Sequence, residues 1–435
     1  MSAINEKTPG RHWMRALLFV CCLQGAVAYA AEVEPATDFP KLSLQRDWPW
    51  WRGPSRNGIA VGEAPTKWSS TQNVIWRTPV PGRGHASPIV VGDQVFLATA
   101  DEATQVQSVL AYDRKTGLQE WKTDLSQGGF PARNHAKNTA ATSTVASDGE
   151  RLFISLFHDQ SIEAIALDLS GKEIWRRALG PFNPKKYEYG YAPSPLVYRG
   201  TIIISAEYDG DSFLTAVDRA SGKQAWRAPR PRNISFSSPV VGHVAGKDQL
   251  LISGADEVTS YDPATGAKLW AVAGTATATC GTAVWDGDTV FASGGYPSSD
   301  TLAVRADGSA KVLWRNKQKC YEQSMLAHDG HLYALTGGGV AYCWRGGDGK
   351  QMWSKRLVGP VSASPVLVGG HIYWANELGT MYVFKANPQQ FELVAENQLD
   401  DEAFASPAVS AGQLFLRTAT NKTGQRQEFL NCLGE

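Results

Sequence analysis

The feature that most constrains this chain is a phrase that keeps returning. AYDRKTGLQEW (111–121) comes back as ALDLSGKEIW, AVDRASGKQAW, SYDPATGAKLW and CWRGGDGKQMW. Each copy holds a small apolar strand, a polar turn ending in glycine, and a tryptophan four residues after that glycine. Glycine supplies the positive φ that such a turn requires. A second phrase alternates with the first: a Ser-Pro lead, an apolar strand, a Gly or Asp-Gly turn and another apolar strand, clearest in ASPIVVGDQVFLAT (86–99). Taking Pro88, Thr144, Pro195, Pro239, Thr282, Met325, Pro365 and Pro407 as equivalent gives intervals of 56, 51, 44, 43, 43, 40 and 42 residues. A twisted four-stranded sheet cannot bury both of its faces alone, so near-regular units of this size stack around an axis. The expected fold is all-β: an eight-bladed β-propeller with four-stranded blades.

In this arrangement Trp121, Trp175, Trp226, Trp270 and Trp353 fall on outer strands, in the wedge where neighbouring blades diverge. An indole buries 150–250 Å² and suits that gap. Trp314 keeps the aromatic although its turn (AVRADGSAKVLW) is altered, while the seventh unit, YVFKANPQQFELVA, has lost both glycine and tryptophan. The eighth unit stops at QEFLNCLGE, one strand short, and NVIWRTPV near the other end carries Trp76 in the matching place. Residues 73–80 are therefore expected to complete the blade formed by 402–433. Closure removes the exposed edges that an open array would leave.

Three regions follow. Arg11 and Arg15 precede the apolar run ALLFVCCLQGAVAYA, which ends in Ala28-Tyr29-Ala30, so residues 1–30 read as a secretory signal peptide. An uncleaved anchor would want roughly 20 apolar residues, and a lipoprotein signal would want a small residue where Val20 precedes Cys21. Residues 31–72 form an aromatic, Pro-rich lead-in and 73–435 the propeller. The reading implies export to the periplasm or extracellular space, with no transmembrane segment after signal cleavage. Forty-two basic residues balance 42 acidic ones, which argues against a nucleic-acid partner or a polybasic membrane surface.

The paired phrases A-x-D-x-x-[TS]-G-x-x-x-W and S-P-[VIL]-[VL] resemble the tryptophan-docking repeat of quinoprotein propellers, that is, PQQ-binding-like repeat proteins. The lead-in DWPWWRGPSRNG (47–58) is similar to that of exported members of the BamB-like branch, which bind partners without chemistry. The other branch carries pyrroloquinoline quinone (PQQ) with calcium, and that branch implies carboxylate and amide ligands, an Asp base and a vicinal Cys-Cys disulfide over the ring. The only adjacent cysteines here are Cys21 and Cys22, inside the signal segment, and neither calcium ligands nor an Asp base can be assigned. No metal site and no catalytic residue is expected. PQQ with calcium stays as the alternative, in a quinoprotein oxidoreductase with an atypical site.

The axial face of a propeller collects loops from every blade. Three residues before each proline-equivalent stand His85, Ala141, Ala192, Phe236, Thr279, Glu322, Ser362 and Phe404. With Arg83, Asn138 and Tyr191 nearby, the candidate funnel set is Arg83, His85, Asn138, Tyr191, Phe236, Glu322 and Phe404. Insertions at 124–138 and 178–191 mix Phe and Tyr with Lys, Arg and Asn, which places Lys185, Lys186, Tyr187 and Tyr189 as candidates for contact with a protein or glycan partner in the envelope. Four cysteines lie beyond the signal, in a compartment that permits disulfides. Cys280 and Cys320 sit before the inner strands of adjacent units and are the candidate disulfide. The function expected is a non-catalytic binding or scaffolding module.

Overall fold

The computed structural model describes residues 38–435; the segment read as a signal, 1–30, lies outside them. Alternating apolar residues and glycine turns make thirty-two strands, which pair as eight four-stranded antiparallel sheets. The sheets are the blades of a propeller. In chain order blades 1 to 7 run Ile89–Gln127, Ala146–Pro181, Leu196–Pro229, Val240–Ala273, Val284–Asn316, Leu326–Arg356 and Val366–Gln398. Blade 8 takes three strands from Ala408–Leu433 and its outermost strand from Val74–Val80, which pairs antiparallel with Gln427–Leu433. The ring thus closes as the sequence predicts. Among the described residues no helix is long and apolar enough to cross a membrane.

The tryptophans join one blade to the next through two contacts at once. Trp76, Trp121, Trp175, Trp226 and Trp314 donate their Nε1–H to the carbonyls of Arg114, Leu169, Arg219, Pro263 and Gly346, in the outer turn of the following blade, at 2.7–3.1 Å. Each indole also lies on that turn's glycine. A Cβ on Gly117, Gly222, Gly266 or Gly349 would come within 2.5–2.7 Å of the ring. Glycine is required there for positive φ and again for close approach. The altered turn of blade 5 has its effect on the preceding blade: a Cβ on Gly308 would meet nothing within 4 Å, and Trp270 donates instead to Gln249 Oε1 (2.8 Å). Gln249 in turn donates to the Ala306 carbonyl at that turn (2.8 Å). Trp353 still reaches blade 7, at Asn387 O (2.8 Å), and packs edge-on against Phe391.

The serine of the Ser-Pro phrase has its own task. Ser87, Thr144, Ser194, Ser238, Thr282, Ser324, Ser364 and Ser406 each stand two residues before an innermost strand. At six of the eight junctions the hydroxyl accepts the backbone N–H of its counterpart in the preceding unit, as in Thr144 N to Ser194 Oγ (3.0 Å) and Ser364 N to Ser406 Oγ (2.8 Å). A belt of hydroxyls therefore stitches the innermost strands together around the axis.

The lead-in crosses that axis on the opposite face. Innermost strands leave one edge unpaired, and buried backbone groups need partners. The lead-in supplies them. Trp48 forms a two-way bridge with Val90 (2.8 and 2.9 Å), Ser147 donates to Pro49 O (2.8 Å), and Ala60 and Leu367 exchange bonds with Leu367 and Gly58 (2.8 Å each). Arg56 reaches Val197 O, Asn57 reaches Trp285 O, and Arg52 bonds Met325 O and Pro365 O at 2.6–2.9 Å. Ser410 donates to Arg46 O. Seven of the eight blades are bound in this way, and Trp48 and Trp50 are buried at the centre.

Candidate functional site

With one end of the axis plugged, the other is a blind funnel. It holds a cavity of about 140 Å³ floored by Trp51, whose Nε1–H is donated to Thr282 Oγ1 (2.9 Å). That bond replaces one of the two missing stitches of the hydroxyl belt. Above the belt a second ring lines the wall: His85, Thr142, Ala192, Phe236, Cys280, Glu322, Ser362 and Phe404, one from each blade junction.

This ring corrects the sequence register at two places. Thr144 and Thr282 are equivalent to the serines, not to the prolines, so Thr142 and Cys280 face the axis where Ala141 and Thr279 were expected. A slip of one residue turns the opposite side of an extended chain toward the funnel. The carbonyls of Ala141 and Thr279 instead accept backbone bonds from His85, Ala86 and Phe236 of the neighbouring junction.

Of the candidate funnel residues, His85, Asn138, Phe236, Glu322 and Phe404 line the cavity. Tyr191 does not. One residue from Ala192 in extended chain, it points the other way, buried between blades with its hydroxyl donated to Ser205 O (3.0 Å) and its ring edge-on to Phe182. Arg83 stays at the rim, bonded to Ala136 O and paired with Glu102. Tyr189, expected among the partner contacts, enters the funnel and lies nearly parallel to Phe236 (6.0 Å, 26°), with His135 edge-on to it (4.8 Å). Tyr187 packs edge-on to Tyr296 at the rim (5.4 Å). Lys185 and Lys186 have exposed side chains, and their backbone N–H groups bond the Asp209 carboxylate.

Cys280 and Cys320 are free thiols, which corrects the expected disulfide. Their neighbours differ: Cys280 faces the cavity, while Cys320 is buried with Sγ toward Leu335 O (3.6 Å). Trp51 carries a site role that the sequence does not assign, and Lys137, which the sequence places near the funnel mouth, gains its two carboxylate partners only in the fold. Trp51 lay in a segment whose docking place no periodicity reveals, and Lys137 lay in an insertion.

The charged groups of the funnel hold one another. Lys137, from the loop between blades 1 and 2, reaches across the mouth to Glu377 Oε1 (2.7 Å) and faces Glu322 Oε1 (3.7 Å). Burial opposes the charge on Lys137, but these two carboxylates raise its pKa overall. Ser362 donates to the same Glu377 oxygen (2.6 Å). Burial pushes the Glu322 carboxyl up, with Lys137 pulling against it. His85 stacks flat on Phe404 (4.5 Å, 3°), and burial, followed by Arg83, Arg417 and Arg426, lowers its pKa to about 3. Burial pushes the Cys280 thiol well up. Near neutral pH the wall thus presents a neutral imidazole, a thiol and an internally paired lysine.

The comparisons place this architecture. Residues 61–142, 107–330 and 308–390 match the family described as outer membrane protein assembly factor BamB. The chain belongs to this family. Two curated proteins resemble this BamB-type propeller. The quinohemoprotein alcohol dehydrogenase ADH IIB of Pseudomonas putida is 32% identical over 124 residues, covering 27% of this chain and 17% of the dehydrogenase. The tetrathionate hydrolase of Acidithiobacillus ferrooxidans is 22% identical over 352 residues, covering 71% of this chain and 66% of the hydrolase. The match therefore spans less than two thirds of either relative. Among solved structures, a europium-containing methanol dehydrogenase superposes with a TM-score of 0.69 at 12% identity, covering 92% of this chain and all of that one. At that identity the likeness is one of fold.

A quinone with a divalent cation, implied by the dehydrogenase branch, can be tested against the residues present. PQQ is a tricarboxylate, so its pocket needs cations to spare. Here the one lysine on the wall is already bonded to Glu377 and faces Glu322. Among the described residues no three His, Cys, Asp or Glu side chains stand together as metal ligands. The funnel residues do not fit that pair of groups.

Proposed function

We propose that this BamB-family propeller is an exported, non-catalytic binding or scaffolding module of the cell envelope that presents its funnel face to a partner. The observation that carries the reading is the mutual occupation of the funnel's reactive groups. Lys137 is tied to Glu377 and Glu322, His85 is neutral and stacked on Phe404, and Cys280 is held as a thiol. Among the described residues lining the funnel, no general base stands beside an activated nucleophile, which acid–base or covalent catalysis would need. The loops at 128–145 and 182–195 send Lys137 and Tyr189 into the funnel, and the second of them also carries Lys185, Lys186 and Tyr187.

A photo-crosslinker in place of Tyr187 tests the proposal. It should capture an envelope protein that the same probe at Lys41, on the plugged face, does not. Loss of that crosslink on changing Lys185 and Lys186 to Ala would confirm the surface, and equal capture at both faces would refute it. The oxidoreductase reading, favoured by the match to ADH IIB, has a direct test as well. Incubation with PQQ and calcium should give no dye-linked oxidation of alcohols or sugars, and turnover would overturn the non-catalytic reading.

A further inference from the structure

We infer that the blind funnel binds a single neutral sugar ring, held as a monosaccharide or as the end of a glycan chain. The inference deepens the binding reading above by naming a ligand class for the cavity itself, and it requires no partner protein.

Charge selects first. Lys137 faces two carboxylates, Glu377 and Glu322, so its charge is already matched within the wall. Inside a partly desolvated cavity an anion finds no unpaired lysine there, which disfavours carboxylates, sulfonates and phosphates. Hydrogen-bonding capacity selects next. Thr144, Ser194, Ser238, Ser364 and Ser406 all line the cavity, and each accepts a backbone N–H from the preceding unit. An accepting hydroxyl still has its own proton to give. The base of the funnel is thus a circle of O–H donors. An acceptor stands above it in the Glu322 carboxyl, which lines the cavity. A ligand that donates and accepts from neighbouring atoms satisfies both sets, which is the character of vicinal hydroxyls.

The remaining wall is aromatic. Tyr189 stacks on Phe236 and His85 on Phe404, all four line the cavity, and Trp51 closes the floor. Flat apolar faces beside a few placed polar groups are the make-up of small-ligand pockets, and the C–H face of a pyranose packs on such rings. Size agrees with one ring. At ~10–15 Å³ per water, the cavity of about 140 Å³ holds on the order of ten waters. Because Trp51 and the lead-in seal the far end, a glycan can enter only by its terminus.

The experiment is saturation-transfer NMR and calorimetry on the purified chain with D-glucose, D-galactose, N-acetyl-D-glucosamine and D-glucuronate. At least one neutral sugar should bind, and D-glucuronate should bind at least ~10-fold more weakly than D-glucose. Tyr189→Ala and Glu322→Gln should each weaken the neutral ligand by about tenfold, the loss of one good contact. Thermal melts establish that both variants are folded; should Glu322→Gln not fold, Tyr189→Ala, on a surface loop, carries the test alone. The inference falls if no neutral sugar binds the folded protein, if D-glucuronate binds more tightly, or if the folded variants bind unchanged. Its failure leaves a Tyr187 crosslink standing, whereas sugar binding accompanied by dye reduction would keep the inference and remove the non-catalytic reading.

Discussion

The indole of Trp76 lies across Gly117, so close that a Cβ there would meet Cδ2 at 2.5 Å, and its Nε1–H is donated to Arg114 O (2.9 Å). Trp76 belongs to the strand that completes blade 8, and Gly117 to the outer turn of blade 1. One contact therefore locks the junction at which the ring closes. Replacing Gly117 (φ 72°) by Ala adds both backbone strain and a clash, whereas a Cβ on Gly246 (φ 75°) would meet nothing within 4 Å, so Ala there adds strain alone. Gly246→Ala should cost about 1 kcal/mol, and Gly117→Ala about 2–4 kcal/mol. Urea unfolding of the two variants measures the difference, and equal midpoints would show that the indole yields freely.

The lead-in predicts a second asymmetry. Arg52 is buried, and its guanidinium bonds only carbonyls, those of Asn57, Met325 and Pro365. Arg52→Leu leaves these acceptors unpaired across blades 6 and 7 and should destabilise the ring by about 2–4 kcal/mol. Arg232, paired with Asp211 on the surface where both side chains are about three-quarters exposed, should change little on conversion to Leu, within roughly 0.5 kcal/mol. Parallel denaturant curves decide it; a silent Arg52→Leu would mean that the plug is not bound as described.

How much of this was legible in the sequence depends on which residues repeat. The tryptophan–glycine spacing recurs with the blade, so the fold, the blade count and the closing strand follow from it. The Ser-Pro phrase recurs too, but Thr144 and Thr282 replace serine, with Val145 and Ala283 where proline stands in five of the other six units, and this hid a one-residue offset. The offset exchanged Thr142 and Cys280 for Ala141 and Thr279 on the funnel wall, because extended chain alternates its faces. Tyr191 failed for the same reason. Trp51 and Arg52 act once, on the axis, so no period could place them, and Lys137 reaches its carboxylates through a fold-dependent crossing from the loop between blades 1 and 2 to blades 6 and 7.

The thiols give a chemical test of the corrected disulfide. Cys280 lines the funnel, whereas Cys320, Cys343 and Cys432 are buried. Burial pushes all four thiols up, Cys320, Cys343 and Cys432 to about 12, so even an accessible one reacts slowly. N-ethylmaleimide on the native protein should label Cys280 slowly and spare the other three. In urea, without reductant, all four should react. Peptide mass spectrometry reads the sites, and a linked Cys280–Cys320 peptide under non-reducing conditions would reinstate the bridge.

His85 sets the sign of a pH dependence. Burial and, after it, the charges of Arg83, Arg417 and Arg426 hold its pKa near 3, against 6.5 for the free side chain. Between these two values the unfolded chain binds a proton that the folded ring refuses, so stability rises with pH across the window and falls as pH drops through it. Above about pH 6.5 the imidazole is neutral in both states and contributes no slope. His85→Phe keeps an aromatic ring against Phe404 and removes the titration. The urea midpoint of the parent should therefore fall more steeply than that of the variant between pH 6.5 and pH 3, with the two curves parallel above pH 7. Curves parallel throughout would mean that water reaches the imidazole in the folded protein and that burial does not keep it neutral.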